Sequence, residues 1–268
     1  MNNIWQILLS TFFAISTVYG QTGLTVGPPR VYFVGEPGSS MVQFVDVTNP
    51  SKDYTLELAV SYEDWSYSET GDNQLFQAGT LSNSCANWLS ISEPFFALAP
   101  GESKRLQLNM KVPESLGAES PSVHTTMLFV TQMNPRASTR QEGANIRLAV
   151  RSGIKIYHRR AQAESIDVEI DNIVYHKNDS IGSYLELEYQ VNGNTWTEGR
   201  IRIEYLNQET GKQTKMEDIN FYALPGDKRK FYSLLPSDLT AGEYVGTVML
   251  LYGDQPDIKI GEISFKHE

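Results

Sequence analysis

The sequence predicts an all-β protein: two immunoglobulin-like β-sandwich domains joined by a short hinge. Three observations lead there. After Gln21 no long stretch carries a helical period. Short alternating or β-rich runs recur instead, and Gly, Pro and Asn separate them at sandwich-like intervals. Finally, 268 residues that are 40% hydrophobic and 11% aromatic can fill two cores of ordinary size, which a disordered acidic chain could not.

The first twenty residues stand apart. They carry no charged side chain, and Ile4–Ile15 is apolar except for Gln6, Ser10 and Thr11. Small residues, Val18 and Gly20, precede Gln21 at the spacing of a cleavage site. Residues 1–20 are therefore expected to be a secretory signal peptide, too short to be a typical membrane span of about 20 apolar residues. The mature protein is expected to be soluble and exported, without stable membrane insertion. Its lone Cys85 leaves no intramolecular disulfide and no cysteine-based zinc site.

Residues 21–160 form the first expected domain. Strands are predicted over Val31–Val34, Met41–Val47, Thr55–Tyr62, Trp88–Ile91, Lys104–Val112, Thr125–Gln132 and Ile146–Tyr157. Asn49-Pro50, Pro100-Gly101 and Asn134-Pro135 mark turns, and 66–86, rich in Ser, Thr, Gly and Asn, reads as a long loop insertion. Residues 161–268 form the second domain, after the short basic hinge His158-Arg159-Arg160. Its strands are predicted over Ser165–Val174, Tyr184–Val191, Gly199–Tyr205, Lys215–Tyr222, Lys228–Leu234, Gly242–Tyr252 and Asp257–Phe265. Turns fall at 192–194, 210–212 and 225–227.

The formal charge of −10 argues against nucleic acid or an anionic membrane as partner, because either would repel the chain. That charge is uneven. Residues 21–160 carry a net −1 and residues 161–268 a net −9, while 136–160 hold seven Arg and Lys against Glu142 alone. A basic segment inside an acidic protein suits a small anionic group, such as a carboxylate.

Enzyme motifs are missing from the sequence. It contains no G-x-S-x-G, H-E-x-x-H or phosphate-binding glycine loop. His124, His158, His176 and His267 are scattered, none with a ligand at metal spacing, so neither catalysis nor a cofactor is expected. Cys85 reads as a small buried residue rather than a nucleophile.

The segment ANIRLAVRSGIKIYHR, 144–159, is the informative one. Ile146, Leu148, Val150, Ser152, Ile154 and Ile156 alternate with Arg147, Ala149, Arg151, Gly153 and Lys155. A strand with so long an apolar row is buried in a core or, at a sheet edge, can template another chain through its backbone amides. Around it, LTVGPPRVYF, EPFFALAPGESKRLQL, TMLFVTQMNPR and IRLAVRSGIKIYHR together resemble the periplasmic pilus-assembly chaperones, the PapD-like family, over residues 23–160. The second half is only generically immunoglobulin-like, LTAGEY at 239–244 being its recognisable turn.

The resemblance implies a boomerang of two domains in which the long strand of the first completes a client subunit. Carried over, Arg30 and Lys155 fall on the pair that anchors the subunit's C-terminal carboxylate. Ile146, Leu148 and Val150 fall on the donated apolar residues, and Arg159 on an inter-domain ion pair. The chain departs from the pattern at Val123-His124, where the family carries the glutamate partner of that arginine, and at Arg160, where it carries proline. Lys155 also has the opposite parity to the apolar row, so that a local twist or bulge would be needed to aim it into the cleft. The expected function is chaperoning of pilus-like or other secreted β-rich subunits, with an outer-membrane usher as a further partner. The alternative is an exported structural or adhesion-linked module that offers 66–86 to a cell-surface partner.

Overall fold

The computed structural model describes residues 23–268 except 118, 136, 139–145, 163, 178–179, 181 and 254–256. The expected signal peptide lies outside the described residues. Among the described residues twelve strands precede the hinge. They are β1 (Thr25–Gly27), β2 (Arg30–Val34), β3 (Ser40–Thr48), β4 (Leu56–Tyr67), β5 (Asn73–Gln77), β6 (Leu89–Ile91), β7 (Phe95–Leu98), β8 (Ser103–Lys111), β9 (Val123–Gln132), β10 (Ala137–Ser138), β11 (Ile146–Arg147) and β12 (Arg151–Arg159). Sheet I has the order β1-β3-β8-β6; sheet II has the order β2-β12-β9-β4-β5, with β7 also on β4; β10 and β11 form a separate ribbon.

Sheets I and II pack face to face, and alternation fills the gap between them. Val45, Val47, Leu106, Leu108, Leu128, Val130, Ile154 and Ile156 belong to this core, with Cys85 fully buried among them. Asn49 ties the 49–54 turn to β7 by donating to the carbonyls of Tyr54, Leu98 and Ala99. The N-terminal segment edges both sheets. β1 pairs with β3, the chain crosses at the cis Gly27–Pro28 bond, and β2 then runs parallel to β12.

Among the described residues eight strands follow the hinge: β13 (Val168–His176), β14 (Tyr184–Val191), β15 (Thr197–Asn207), β16 (Gln213–Lys215), β17 (Ile219–Ala223), β18 (Lys228–Leu234), β19 (Gly242–Tyr252) and β20 (Asp257–His267). Sheet III is β13-β14-β18, and sheet IV is β16-β15-β19-β20 with β17 on β15. Strict alternation of buried and half-buried residues in β14 shows one face on the core and one toward solvent. Leu187, Tyr189, Ile203, Tyr205, Val248 and Leu250 lie in that second core. The Tyr244 hydroxyl at the start of β19 donates to the carbonyl of Thr240 (2.8 Å), a tyrosine corner built on the LTAGEY turn. Two immunoglobulin-like sandwiches result, and none of their described strands pair across residue 160.

Two elements differ from the sequence reading. Residues 66–86 are not an open loop. β4 continues to Tyr67 and returns as β5, and the buried Asp64 carboxylate holds the connection, accepting from the amides of Thr80 (2.8 Å) and Leu81 (2.9 Å) and from the Ser84 hydroxyl (2.6 Å). The strand predicted over Ile146–Tyr157 is broken, with 148–150 outside any strand between β11 and β12. Its partner β9 ends at Gln132, before the Asn134-Pro135 turn, so the residues ahead of Arg151 lose their ladder.

Candidate functional site

The site is built on β12 and on what each of its faces and edges meets. Along one edge β12 pairs with β9 over its full length, Arg151–Arg159. Along the other, β2 begins only at Arg30, opposite Lys155. Among the described residues no strand pairs with that edge over 151–154, and 148–150 continue the free stretch toward β11. Seven residues, 148–154, thus offer an edge of about 23 Å at ~3.3 Å per residue. Val150 stays tethered: its carbonyl accepts the Gln132 amide (2.9 Å), and its own amide donates to Gln132 Oε1 (3.3 Å). Leu148 is 69% exposed, a large apolar side chain with no cover. Val150 is half-buried, and the Ile146 backbone pairs with Ser138 in the β10–β11 ribbon.

The two faces of β12 divide the work. Ile154 and Ile156 point into the first core, whereas Lys155 and Tyr157 point to the outer face of sheet II. The β12–β9 register is uninterrupted from Arg151 to Arg159, so no bulge is needed and the twist or bulge expected for Lys155 is corrected. Opposite parity is what sends the lysine to the outer face while its neighbours fill the core.

That outer face is aromatic and meets the second domain. Trp65, Val123, Met127, Phe129 and Tyr157 cluster with Leu224, with Tyr32, Tyr67 and Trp196 packed against them. Being covered on this side and by the core on the other, β9 is buried at nearly every position rather than alternating. Lys155 Nζ donates to the Tyr67 hydroxyl (2.9 Å) and lies 4.2 Å from the ring centroids of both Trp65 and Tyr67. The Arg30 guanidinium lies 3.9 Å from the Tyr222 ring centroid, and its buried Nε has no hydrogen-bond partner. Such cation–π contacts are worth roughly 0.5–2 kcal/mol each and leave the positive charge unneutralised.

The electrostatics follow. Burial lowers the Lys155 pKa to about 8, aided by the nearby charges of Arg30 and Arg229. Neither Arg30 nor Lys155 forms an ion pair among the described residues. Tyr32 donates its hydroxyl to Glu198 Oε1 (2.7 Å), occupying the carboxylate on the second-domain side. The cleft therefore holds convergent, partly desolvated cations on aromatic walls; the Glu198 carboxylate acts on Arg30 from beyond ion-pair distance, which leaves room for a carboxylate in direct contact.

The structure brings Arg30 and Lys155 together as register neighbours on β2 and β12, with the Leu148–Ile154 edge running up to them. Arg159 pairs with Glu164 across the hinge, donates to the carbonyl of Arg160 (3.1 Å), and sits 5.5 Å from the Trp196 ring centroid. Sequence reading missed Trp65, Tyr67, Tyr222 and Arg229. Only Lys155's need for aromatic neighbours could have hinted at the first two, and nothing in sequence links 229 to 67. Among the described residues no group of three His, Cys, Asp or Glu could hold a metal ion, and no helix is long and apolar enough to cross a membrane. Burial pushes the Cys85 thiol pKa far up, which disfavours the reactive thiolate.

No protein-family profile matches the chain, and no curated protein does. Solved structures do. The class 5 fimbriae chaperone CfaA is 14% identical, with a TM-score of 0.48 and coverage of 89% of this chain and 98% of that one. The CupB2 chaperone of Pseudomonas aeruginosa is 10% identical, with a TM-score of 0.46 and coverage of 89% and 98%. The E. coli chaperone DraB is 17% identical, with a TM-score of 0.44 and coverage of 92% and 98%. Each of these alignments covers about nine-tenths of this chain and nearly all of the other.

Proposed function

We propose that the protein is a periplasmic chaperone that holds pilus- or fimbria-like subunits by donating an edge strand, with Arg30 and Lys155 anchoring the subunit's C-terminal carboxylate. One observation carries this reading: the edge 148–154, unpaired among the described residues, ends on a pair of cations that have no ion-pair partner among them. The geometry also supports a direction. β2 runs parallel to β12 and starts opposite Lys155. A client strand in line with β2 would run parallel to β12 along 148–154 and end, carboxylate first, at Arg30 and Lys155. Main-chain pairing supplies the register, and Leu148 with Val150 and Ile146 supplies alternate apolar side chains for a groove in the subunit. Arg159 with Glu164 would fix the hinge, the domains dividing at 160–161, and an outer-membrane usher would receive the loaded subunit. The alternative of 66–86 as a surface-presenting loop loses ground, because its tip is hydrogen-bonded to the second domain through Ser68 and Glu69.

The test is capture from exporting cells. The wild-type protein should co-purify with a β-rich subunit identifiable by mass spectrometry, and Arg30→Ala or Lys155→Ala should lose it while remaining folded. Undiminished capture by the double variant would rule out the carboxylate anchor.

A further inference from the structure

Arg229, on β18 of the second domain, is 5% exposed and bonded to both domains. Its Nη1 donates to the carbonyl of Ser68 at the β4–β5 turn (2.6 Å), and its Nη2 to the carbonyl of Tyr222 (2.9 Å). The guanidinium lies 4.5 Å from the Tyr67 ring centroid. The next residue, Lys230, donates its backbone amide to the carbonyl of Glu69 (2.7 Å), doubling the attachment. Gly71 permits this approach: at φ +95°, a Cβ there would stand 3.1 Å from Arg229 Nη2.

Two of the three aromatic residues that Arg229 touches carry the anchor cations; the third, Tyr189, belongs to the second core and hydrogen-bonds the Arg229 side chain. Tyr67 accepts from Lys155 and lies under it, and Tyr222 lies under Arg30. Yet Arg229 forms no ion pair among the described residues, and it adds a third positive charge beside two others. The Asp227 carboxylate acts on it only from beyond ion-pair distance, and keeping so buried an arginine without a direct ion pair is costly, which stability alone accounts for poorly.

We propose that Arg229 is a positioning residue for the anion site: by clamping the β4–β5 hairpin onto the second domain it sets Tyr67 and Tyr222, and through them the convergence of Lys155 and Arg30. The inference rests on the proposed reading of the cleft and adds that the carboxylate site exists only while the two domains are docked. Arginine suits this role because its planar fork bonds two carbonyls in fixed directions, which a lysine ammonium cannot do.

Two measurements test it on the full mature chain. Spin labels at Glu102→Cys and Glu209→Cys, both on exposed turns, report the inter-domain distance. A ten-residue peptide of alternating apolar residues, made as free acid and as C-terminal amide, reports carboxylate selectivity. Arg229→Met should broaden the distance distribution and cut the acid-over-amide preference by about tenfold, with Arg229→Lys recovering only part of both. Gly71→Ala, which crowds the same contact, should move both in the same direction and keeps the test decisive if Arg229→Met folds poorly. Unchanged distances and unchanged selectivity in folded Arg229→Met and Gly71→Ala would overturn the proposal. A wild-type protein that binds acid and amide alike would instead refute the carboxylate reading, while the distances, which need no peptide, still judge the clamp.

Discussion

Leu148 and Ile154 share the apolar parity of one segment, and the structure assigns them opposite fates. Ile154 is 1% exposed in the first core, whereas Leu148 is 69% exposed beyond the end of the β9 ladder. Leu148→Ala should therefore leave the protein's own stability within about 0.5 kcal/mol, a melting shift of no more than ~2 °C for a chain this size. Its cost appears on client capture. Fully burying a leucine is worth about 1.5–3 kcal/mol, and roughly two-thirds of that remains to be gained here, so affinity for a subunit should fall about 5- to 30-fold. Leu148→Asp should lose more, since a carboxylate would enter an apolar groove unpaired. Ile154→Ala should reverse the pattern, costing about 2–5 kcal/mol of stability. The assay is competition between wild-type and variant protein for the subunit recovered with the wild type, alongside thermal melts. Equal affinity of Leu148→Ala and wild type would refute strand donation at this residue. A melting temperature lowered as far as that of Ile154→Ala would refute its exposure.

Three further outcomes are expected. Lys155 titrates near pH 8, lowered chiefly by burial, so acid-peptide binding should weaken as pH rises through about 8. Because the folded state disfavours the charged form, stability should rise between pH 8 and the unfolded lysine value, and Lys155→Met should be more stable while losing acid selectivity; a less stable Lys155→Met would contradict this. His124 and His158, buried register partners with rings 5.7 Å apart, are both held below the usual histidine value, chiefly by burial, His124 at about 4. The unfolded chain binds protons that the folded one refuses, so stability should fall as pH drops from about 6.5 to 4, by up to ~1.4 kcal/mol per pH unit for His124, with His158 acting in the same direction, and His124→Gln should flatten a urea-melt series over that range. Asp64→Ala removes the acceptor for two amides and a hydroxyl at a fully buried position. It should cost about 2–4 kcal/mol and expose 70–84 to limited proteolysis; a protease-resistant variant would show that the hairpin does not depend on this carboxylate.

Sequence and structure agree best where one face of a strand is wet. Tyr184–Val191, Lys228–Leu234 and Gly242–Tyr252 have the bounds that alternation and flanking turns predict. Agreement fails where burial comes from outside the local sheet. Ser66 and Tyr67 read as loop residues, yet lie in β4 because the hairpin folds back over Asp64 and its tip bonds the second domain. Arg229 gave no local signal, because its partners are 161 and 7 residues away and are backbone carbonyls, which any residue type supplies.

The segment from Ile146 to Arg159 shows why the role proposed for it was legible in outline and not in detail. Alternation alone says that two kinds of side chain face opposite ways; it is silent on which edge is free and where the ladder stops. Those depend on β9 ending at Gln132 and on β2 starting at Arg30. With both ends fixed, one segment presents a bare edge over 148–154, a cation on the outer face at Lys155, and a hinge ion pair at Arg159. Burial without an ion pair disfavours the charge on Lys155 and lowers its pKa. A partner that brings a carboxylate relieves that penalty only if its strand also fits the free edge, which couples recognition of a chain terminus to recognition of an unpaired strand.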